Sequence, residues 1–323
     1  MDVPLRDAQV SNDERLTSNA EIATRLTNLK ETVDYLLEHG AGQVIIAGHI
    51  DRPGGPDSAL STKQLKLNLE KILSRSVIFA ENFEKQVLEN LVLLENLRFW
   101  PGETQNDQSF AHQLANLADI YINEAFGNCH RTHASMVSLP SLLPHAAGFH
   151  LAKEVEELTK ILNDPEKPFV AIVGGAKIET KLPLVEHLAK IADFVLVGGE
   201  LPVEIKDKKM TFSQNVLVAS LTADAKDISD ESVKQFCDVI ASAKTVVWNG
   251  PLGLFEEGHN RGSIAIARAI IDSPAYEVIG GGETVEFLAK NNFLSRFSFV
   301  SSGGGAMLEF LSGKTLPALK ALE

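Results

Sequence analysis

Arginine and histidine recur just beyond the short apolar runs in the first half of the chain. Residues 43–47 are followed by Gly48-His49-Ile50-Asp51-Arg52-Pro53. Residues 91–94 are followed by Glu95-Asn96-Leu97-Arg98-Phe99. Residues 120–123 are followed by Glu124-Ala125-Phe126-Gly127-Asn128-Cys129-His130-Arg131-Thr132-His133. Arg52, Arg98 and Arg131, with His49, His130 and His133, therefore occupy equivalent positions after three runs. A guanidinium donates two parallel hydrogen bonds to a carboxylate or a phosphate. One such arginine would read as a surface ion pair; three at equivalent places predict a site for a small polyanion.

The second half places glycine where the first places charge. Its apolar runs end in Gly174-Gly175-Ala176-Lys177, Gly198-Gly199-Glu200, Asn249-Gly250-Pro251, Gly280-Gly281-Gly282-Glu283-Thr284 and Ser302-Gly303-Gly304-Gly305-Ala306. Glycine lets backbone N–H groups approach phosphate, and a following helix N-terminus adds a favourable dipole. A nucleotide site is expected there. GxxxxGK[ST] is absent, as are GxGxxG with a downstream acid and the protein-kinase signatures, so P-loop, dinucleotide and protein-kinase readings are disfavoured. An arginine-lined anion half and a glycine-lined nucleotide half together suit phosphoryl transfer, which needs positioning and positive charge more than covalent help.

These residues need a scaffold that brings strand ends together. The hydrophobic pattern predicts strands over 43–47, 91–94, 120–123, 169–173, 194–197, 216–219, 245–248, 277–279 and 297–300. It predicts helices over 26–39, 62–73, 107–117, 178–191, 230–242, 263–271 and 284–291, and a connecting helix over 151–162. Uniformly apolar strands alternating with amphipathic helices mark buried parallel sheets. The fold class is α/β: two doubly wound parallel-sheet (Rossmann-like) lobes joined by a hinge helix. The expected organisation is an N-terminal lobe over 1–150, a hinge over 151–163, a nucleotide lobe over 164–305 and a returning segment over 306–323. In such sheets, ligands bind beyond the carboxyl ends of the strands.

The 323 residues, 44% hydrophobic and 23% charged, suffice for two cores. A net charge of -13 argues against nucleic acid and anionic membranes as partners. The two cysteines make no disulfide framework, and neither a membrane span nor a leader is read, so a cytoplasmic location is expected. The stretch Cys129-His130-Arg131-Thr132-His133 is not read as a metal site, because a structural zinc needs four ligands and no second cluster accompanies it.

The blocks LLENLRFWPGE, NEAFGNCHRTHAS, VGGAKIETK, TVVWNGPLGLFE, IGGGETV and SSGGGAMLEFLSGKTLP resemble, in order and over nearly the whole chain, those of phosphoglycerate kinases. The resemblance implies reversible phosphoryl transfer between Mg-ATP and 3-phosphoglycerate, giving ADP and 1,3-bisphosphoglycerate, in a monomer that closes about a hinge. It implies that Asp2, Arg25, His49, Ile50, Asp51, Arg52, Arg98 and Arg131 hold the triose, supported by His130 and His133. Arg25 would touch the phosphoryl group in flight. Gly175, Ala176, Gly198, Gly199, Asn249 and Pro251 would shape the nucleotide pocket, with Glu256 on the ribose. Lys177 and Lys181 would reach the phosphates. Gly281, Gly282 and Gly303 would cradle the transferring group, next to Thr284, and Glu283 would hold Mg2+.

The chain also departs from the family pattern. It opens MDVP where the family carries a strand with an Arg and an Asp, which implies a shortened start with Asp2 at the usual Asn position. Glu283 replaces an aspartate, Glu200 a glycine and Asp51 an uncharged residue, and 200–221 is short, a helical segment and connecting strand being expected to be missing. The competing reading is a nucleotide-binding protein of this fold with impaired turnover.

Overall fold

A computed structural model describes residues 2–3, 26–83, 90–176 and 178–323. Arg25 and Lys177 lie outside the described residues. The chain divides into two compact units, Met1–Glu154 with Thr315–Glu323, and Val155–Lys314; the division falls within the helix Phe149–Asn163.

Among the described residues the first unit holds three small parallel sheets. β1 (Asp2–Val3) lies beside β3 (His49–Ile50), with Asp2 opposite His49. β2 (Val44–Ile46) and β4 (Ile78–Ala80) flank β5 (Leu91–Leu94), and β6 (Tyr121–Asn123) pairs with β7 (His145–Ala147). β5 is buried at every residue, whereas β2 and β6 are each only partly so. One core packs the helices Leu29–Glu38 and Lys66–Leu73 on β2 and β5 through Leu29, Val33, Leu69, Leu73 and Leu93. Another gathers Val92, Leu94, Phe110 and Leu114. The last residues belong to this unit: Leu316 and Ala318 are buried, and the Ala318 N–H donates to the Cys129 carbonyl at 3.1 Å.

The second unit is one six-stranded parallel sheet made of β8 (Phe169–Val173), β9 (Phe194–Val197), β10 (Val216–Val218), β11 (Thr245–Asn249), β12 (Tyr276–Gly280) and β13 (Phe299–Val300). The strand order is β10-β9-β8-β11-β12-β13, a doubly wound order that reverses between β8 and β11. Val173 lies opposite Val197 and Asn249, and Asn249 opposite Gly280, so successive glycine loops leave the sheet along one edge. Core side chains such as Ile172, Leu196, Trp248, Ile279 and Phe287 explain why these strands read as continuous apolar runs.

Several elements were absent from the hydrophobic pattern. Residues 201–207, within the short segment expected to lack its helix, do form a helix, Leu201–Asp207, with Pro202 in its first turn where a missing N–H costs nothing. The glycine-rich stretch after β13 opens the helix Gly304–Leu311, whose Ala306, Met307 and Leu311 are buried. Ile78–Ala80 and His145–Ala147 add short strands where none was read. No helix among the described residues is long and apolar enough to cross a membrane.

Candidate functional site

In the first unit, the residues after β2, β5 and β6 converge on a buried polar network. Arg98 sits on the turn Leu97–Phe99, set by Asn96, whose side chain accepts from the Arg98 N–H and donates to the Ile50 and Leu60 carbonyls. The Arg98 guanidinium, 8% exposed, donates to the Asp51 carbonyl at 2.6 Å and to Asn128 Oδ1 at 3.3 Å. With Oδ1 so engaged, the Asn128 amide NH2 faces His49 Nδ1 at 2.5 Å. His49 Nδ1 is then the acceptor, and its Nε2–H donates to Glu103 Oε1 at 2.6 Å. Glu103, fully buried, also accepts from the Ser135 N–H at 3.0 Å and the Ser135 hydroxyl at 2.5 Å.

This chain fixes the charges. Burial pushes the Glu103 carboxyl up, but hydrogen bonds from His49 and Ser135 outweigh it and hold the group below the usual carboxylate range. His133 packs edge-on against His49 with ring centroids 5.1 Å apart. Burial, the His49 ring and the Arg98 and Arg131 charges push the His133 imidazole down to about 4, against the pull of Glu103. The ligand atoms of His49, Glu103 and His133 lie within 4.8 Å of one another. The Cys129-to-His133 stretch thus does send one histidine to a partner histidine and a carboxylate. Glu103 Oε1 is already occupied by His49 and Ser135, and His133 Nδ1 stands 3.7 Å from it without a hydrogen bond among the described residues.

His133 makes stability pH-dependent. Its folded pKa lies below that of the unfolded chain, so its contribution is complete above about 6.5 and is lost as pH falls towards about 4. The full span is worth roughly 3 kcal/mol at most. We expect urea denaturation midpoints to fall across this window in the native chain and to flatten in His133→Asn; parallel curves would contradict the assignment.

The remaining residues of this set surround the network. Asp51, at φ 50°, and Arg52 are exposed, and His130 and Arg131 are half-buried. Ile50 is fully buried in the core, and its carbonyl accepts from Asn96. Asp2 enters through its backbone, opposite His49.

In the second unit, the glycine loops cross at the reversal between β8 and β11. A Cβ on Gly250, at φ +92°, would lie 2.1 Å from the Gly174 carbonyl oxygen; one on Gly199, at φ +67°, would lie 2.5 Å from the Gly175 nitrogen. The amides here are consumed by the crossing: Gly174 donates to Asn249, Gly175 to Pro251, Gly198 to Val173 and Gly199 to Leu252, all backbone carbonyls. Glu200 precedes the next helix from the same place, its N–H donating to the Gly175 carbonyl at 3.1 Å. Thr284, fully buried, accepts the Gly250 N–H on its hydroxyl at 2.7 Å. By contrast, the N–H groups of Gly281 and Gly282, opening the helix Gly282–Lys290, have no hydrogen-bond partner among the described residues. Those amides remain open to an anion. Gly303 is buried and donates to the Ser301 hydroxyl at 3.3 Å.

Lys181 completes this edge. It projects from the first turns of the helix Ile178–Ile191 and is 8% exposed, with Nζ hydrogen-bonded to Asn249 Oδ1. Burial pushes its ammonium down to about 8, with Glu283 pulling the other way. The Asn249 amide nitrogen is buried and has no partner among the described residues. Glu283 and Ala176 are exposed, as is Glu256 on the turn Phe255–Glu257.

Glu103, Asn128 and Ser135 were missed by sequence reasoning. Glu103 stands in the LLENLRFWPGE block and Asn128 and Ser135 in the NEAFGNCHRTHAS block, and those placements were the signal available.

A buried lysine beside open helix-terminal amides at a sheet reversal, and a buried guanidinium–imidazole–carboxylate network in the other unit, fit an α/β phosphotransferase acting on small anions. A family model described as phosphoglycerate kinase matches residues 2–217 and 201–314. The chain belongs to the phosphoglycerate kinase family.

It is 35% identical to the phosphoglycerate kinase of Wolinella succinogenes, over 93% of this chain and 89% of that protein. It is 37% identical to that of Moorella thermoacetica, over 95% and 92%. The structure of phosphoglycerate kinase from Coxiella burnetii superposes with a TM-score of 0.79 at 30% identity, covering 99% of this chain and 94% of that one. That of the Pyrococcus horikoshii enzyme gives 0.81 at 26% identity, with the same coverage. The sequence alignments run to 359 and 366 positions against 323 residues here, so these relatives carry segments this chain lacks. The two family matches overlap at 201–217, within the region read as shortened.

Proposed function

We propose that the chain transfers a phosphoryl group reversibly between Mg-ATP and 3-phosphoglycerate, forming ADP and 1,3-bisphosphoglycerate. The observation that carries this is Lys181: a buried ammonium with a depressed pKa, aimed along the sheet edge where the Gly281 and Gly282 amides stand open. Developing negative charge on a transferring phosphoryl group is stabilised by such preorganised donors. Asn249 holds Nζ, and its unpartnered amide nitrogen suits a phosphate oxygen. Gly175, Ala176, Gly198, Gly199, Pro251 and Thr284 shape the pocket wall, and Glu256 is assigned to the ribose. Lys177 is assigned to the phosphates beside Lys181.

Magnesium takes hard oxygen donors, commonly one or two carboxylates with substrate phosphates completing the shell. The Glu283 carboxylate fits, being exposed and close enough to Lys181 to act on its charge. When bound, the metal would neutralise phosphate charge; Glu283 would supply its protein ligand, and the amides of the helix terminus would take phosphate oxygens.

The acid substrate is assigned to the first unit. Arg52, Arg98 and Arg131 bind its carboxylate and phosphate, and His49, His133, His130, Asp51 and Asp2 border them. Arg25 is assigned to the phosphoryl group in transit. Transfer needs water excluded, and we assign that to closure of the two units about a hinge once both ligands are bound. Small-angle scattering is expected to show compaction with both ligands and none with either alone; equal radii in every state would remove this step. Cytoplasmic action on small molecules by a monomer is part of this proposal, as the family resemblance implies.

Two binding measurements test the reading. Titrating 3-phosphoglycerate is expected to move the ring resonances of His49 and His133, while Mg-ADP leaves them in place. Binding of Mg-ADP at pH 8 is expected to take up about half a proton, as the phosphates raise the Lys181 pKa, and less at pH 7. Calorimetry in buffers of different ionisation enthalpy reads that number. Zero uptake in the native chain, or uptake surviving in Lys181→Met, would contradict the assignment.

A further inference from the structure

Gly148 leaves the helix Phe149–Asn163 without a capping side chain at its start, yet the first N–H groups of that helix are satisfied. The His150 and Leu151 N–H groups donate to the two oxygens of the Glu124 carboxylate at 3.1 and 2.8 Å, and the Phe149 N–H donates to the Thr32 hydroxyl at 3.0 Å. Thr32 closes the set, its hydroxyl donating in turn to Glu124 Oε1 at 2.5 Å. A serine or aspartate before such a helix would cap it locally. Here the cap comes from distant parts of the chain, so one carboxylate joins three elements: the end of β6, the helix Leu29–Glu38 and the first turn of Phe149–Asn163.

The joint leaves little room. Thr32 is 7% exposed, and a Cβ on Gly148 would lie 2.4 Å from the Glu124 carboxyl carbon. Asn28, Thr32 and Tyr35, on the helix Leu29–Glu38 and its cap, are spaced i, i+4 and i+7 and share one face. All three meet the same turn: Asn28 reaches the His150 ring at 2.9 Å, and Tyr35 packs edge-on against Phe149 with ring centroids 5.1 Å apart. The core takes Leu29 and Val33 of the same helix, together with Leu26, which directly follows Arg25.

The helix so fastened is the one that passes from the first unit into the second, the division falling between Glu154 and Val155. A rigid element of this kind can carry a change at one end to the other. The strand end that holds Glu124 also runs on to His130 and Arg131.

We propose that Glu124 is a positioning residue for phosphoryl transfer: with Thr32 it locks the helix that follows Arg25 to the start of the unit-spanning helix, so that the two turn as one body when the units close. The inference rests on the transfer reading above, in which Arg25 meets the phosphoryl group in transit. Binding of either ligand does not need the joint; bringing Arg25 to the reacting group does.

Steady-state kinetics on the full chain test this, with each variant shown to be folded at the assay temperature by circular dichroism. Thr32→Val keeps the shape of the side chain and removes both of its hydrogen bonds. Gly148→Ala drives the Glu124 carboxylate from its place and deletes no polar group. Each is expected to lower kcat on the order of 10–100-fold, the scale of a misplaced reacting group, with both KM values within about 2-fold of native. Thr32→Ser keeps the hydroxyl and is expected to retain native kcat. Adding Glu124→Gln to Thr32→Val is expected to lower kcat little further, because the two residues act through one contact. Native kcat in Thr32→Val and Gly148→Ala, whatever their melting temperatures, would show a merely structural joint and overturn the proposal. So would a loss in Thr32→Ser equal to that in Thr32→Val. Either result leaves the transfer reading intact, whereas a native chain without turnover would overturn that reading and this inference with it.

Discussion

Lys181→Met is expected to lower kcat by on the order of 10²–10³, the loss typical of removing one preorganised donor from a transition state, with little change in KM for either substrate. The same change is expected to leave thermal stability equal or higher. The folded state pays to keep this ammonium in a buried place: its pKa falls from 10.5 to about 8. Sign follows from linkage. With the folded pKa depressed, the unfolded chain holds the proton more tightly below about 10.5, so the charged lysine opposes folding by up to roughly 3 kcal/mol at neutral pH. Methionine keeps the apolar stem and removes that cost, against roughly 1 kcal/mol for the lost hydrogen bond to Asn249. Steady-state kinetics and urea denaturation on one preparation check both halves. Retained turnover, or a clear loss of stability, would show the lysine to be a packing residue.

Glu103→Ala is expected to act in the opposite sense, on stability first. Glu103 takes three hydrogen bonds, from His49 Nε2 and from the Ser135 N–H and hydroxyl, and is fully buried. Removing it strands three buried donors at once, at roughly 3–5 kcal/mol by analogy with a broken buried pair. Without Glu103 the His49 ring loses its anchor, so KM for the acid substrate should rise while KM for the nucleotide does not. Glu103→Gln keeps one acceptor oxygen and should recover part of both effects. A variant as stable as the native chain, with unchanged affinity for the acid, would show that the network does not orient His49.

Much of the second unit was legible because its strands are buried on both faces. Phe169–Val173 and Phe194–Val197 are uniformly apolar and flanked by glycine, and the helix Ile178–Ile191 follows with its apolar spacing intact. What the glycines do was less legible. At Gly174, Gly175, Gly198 and Gly199 the small side chain serves loop crossing and the amides are spent internally, while at Gly281 and Gly282 they stay open. Composition is the same in both cases; only the register of β8, β9, β11 and β12 separates them. The first unit's arginines and histidines stood out in sequence because charge after an apolar run is conspicuous. Their partners did not, since Glu103 lies 54 positions from His49 and Asn128 lies 79. The helix Gly304–Leu311 was hidden for another reason: three glycines at its start weaken local propensity, and packing of Met307 and Leu311 overrides it.

The most direct measurement is turnover of the chain with Mg-ATP and 3-phosphoglycerate, coupled to glyceraldehyde-3-phosphate dehydrogenase and followed by NADH loss. Turnover is expected to require ATP, 3-phosphoglycerate and Mg2+ together and to fall at least about 100-fold in Lys181→Met. A folded chain that binds Mg-ADP and yet shows no turnover above the Lys181→Met background would contradict it.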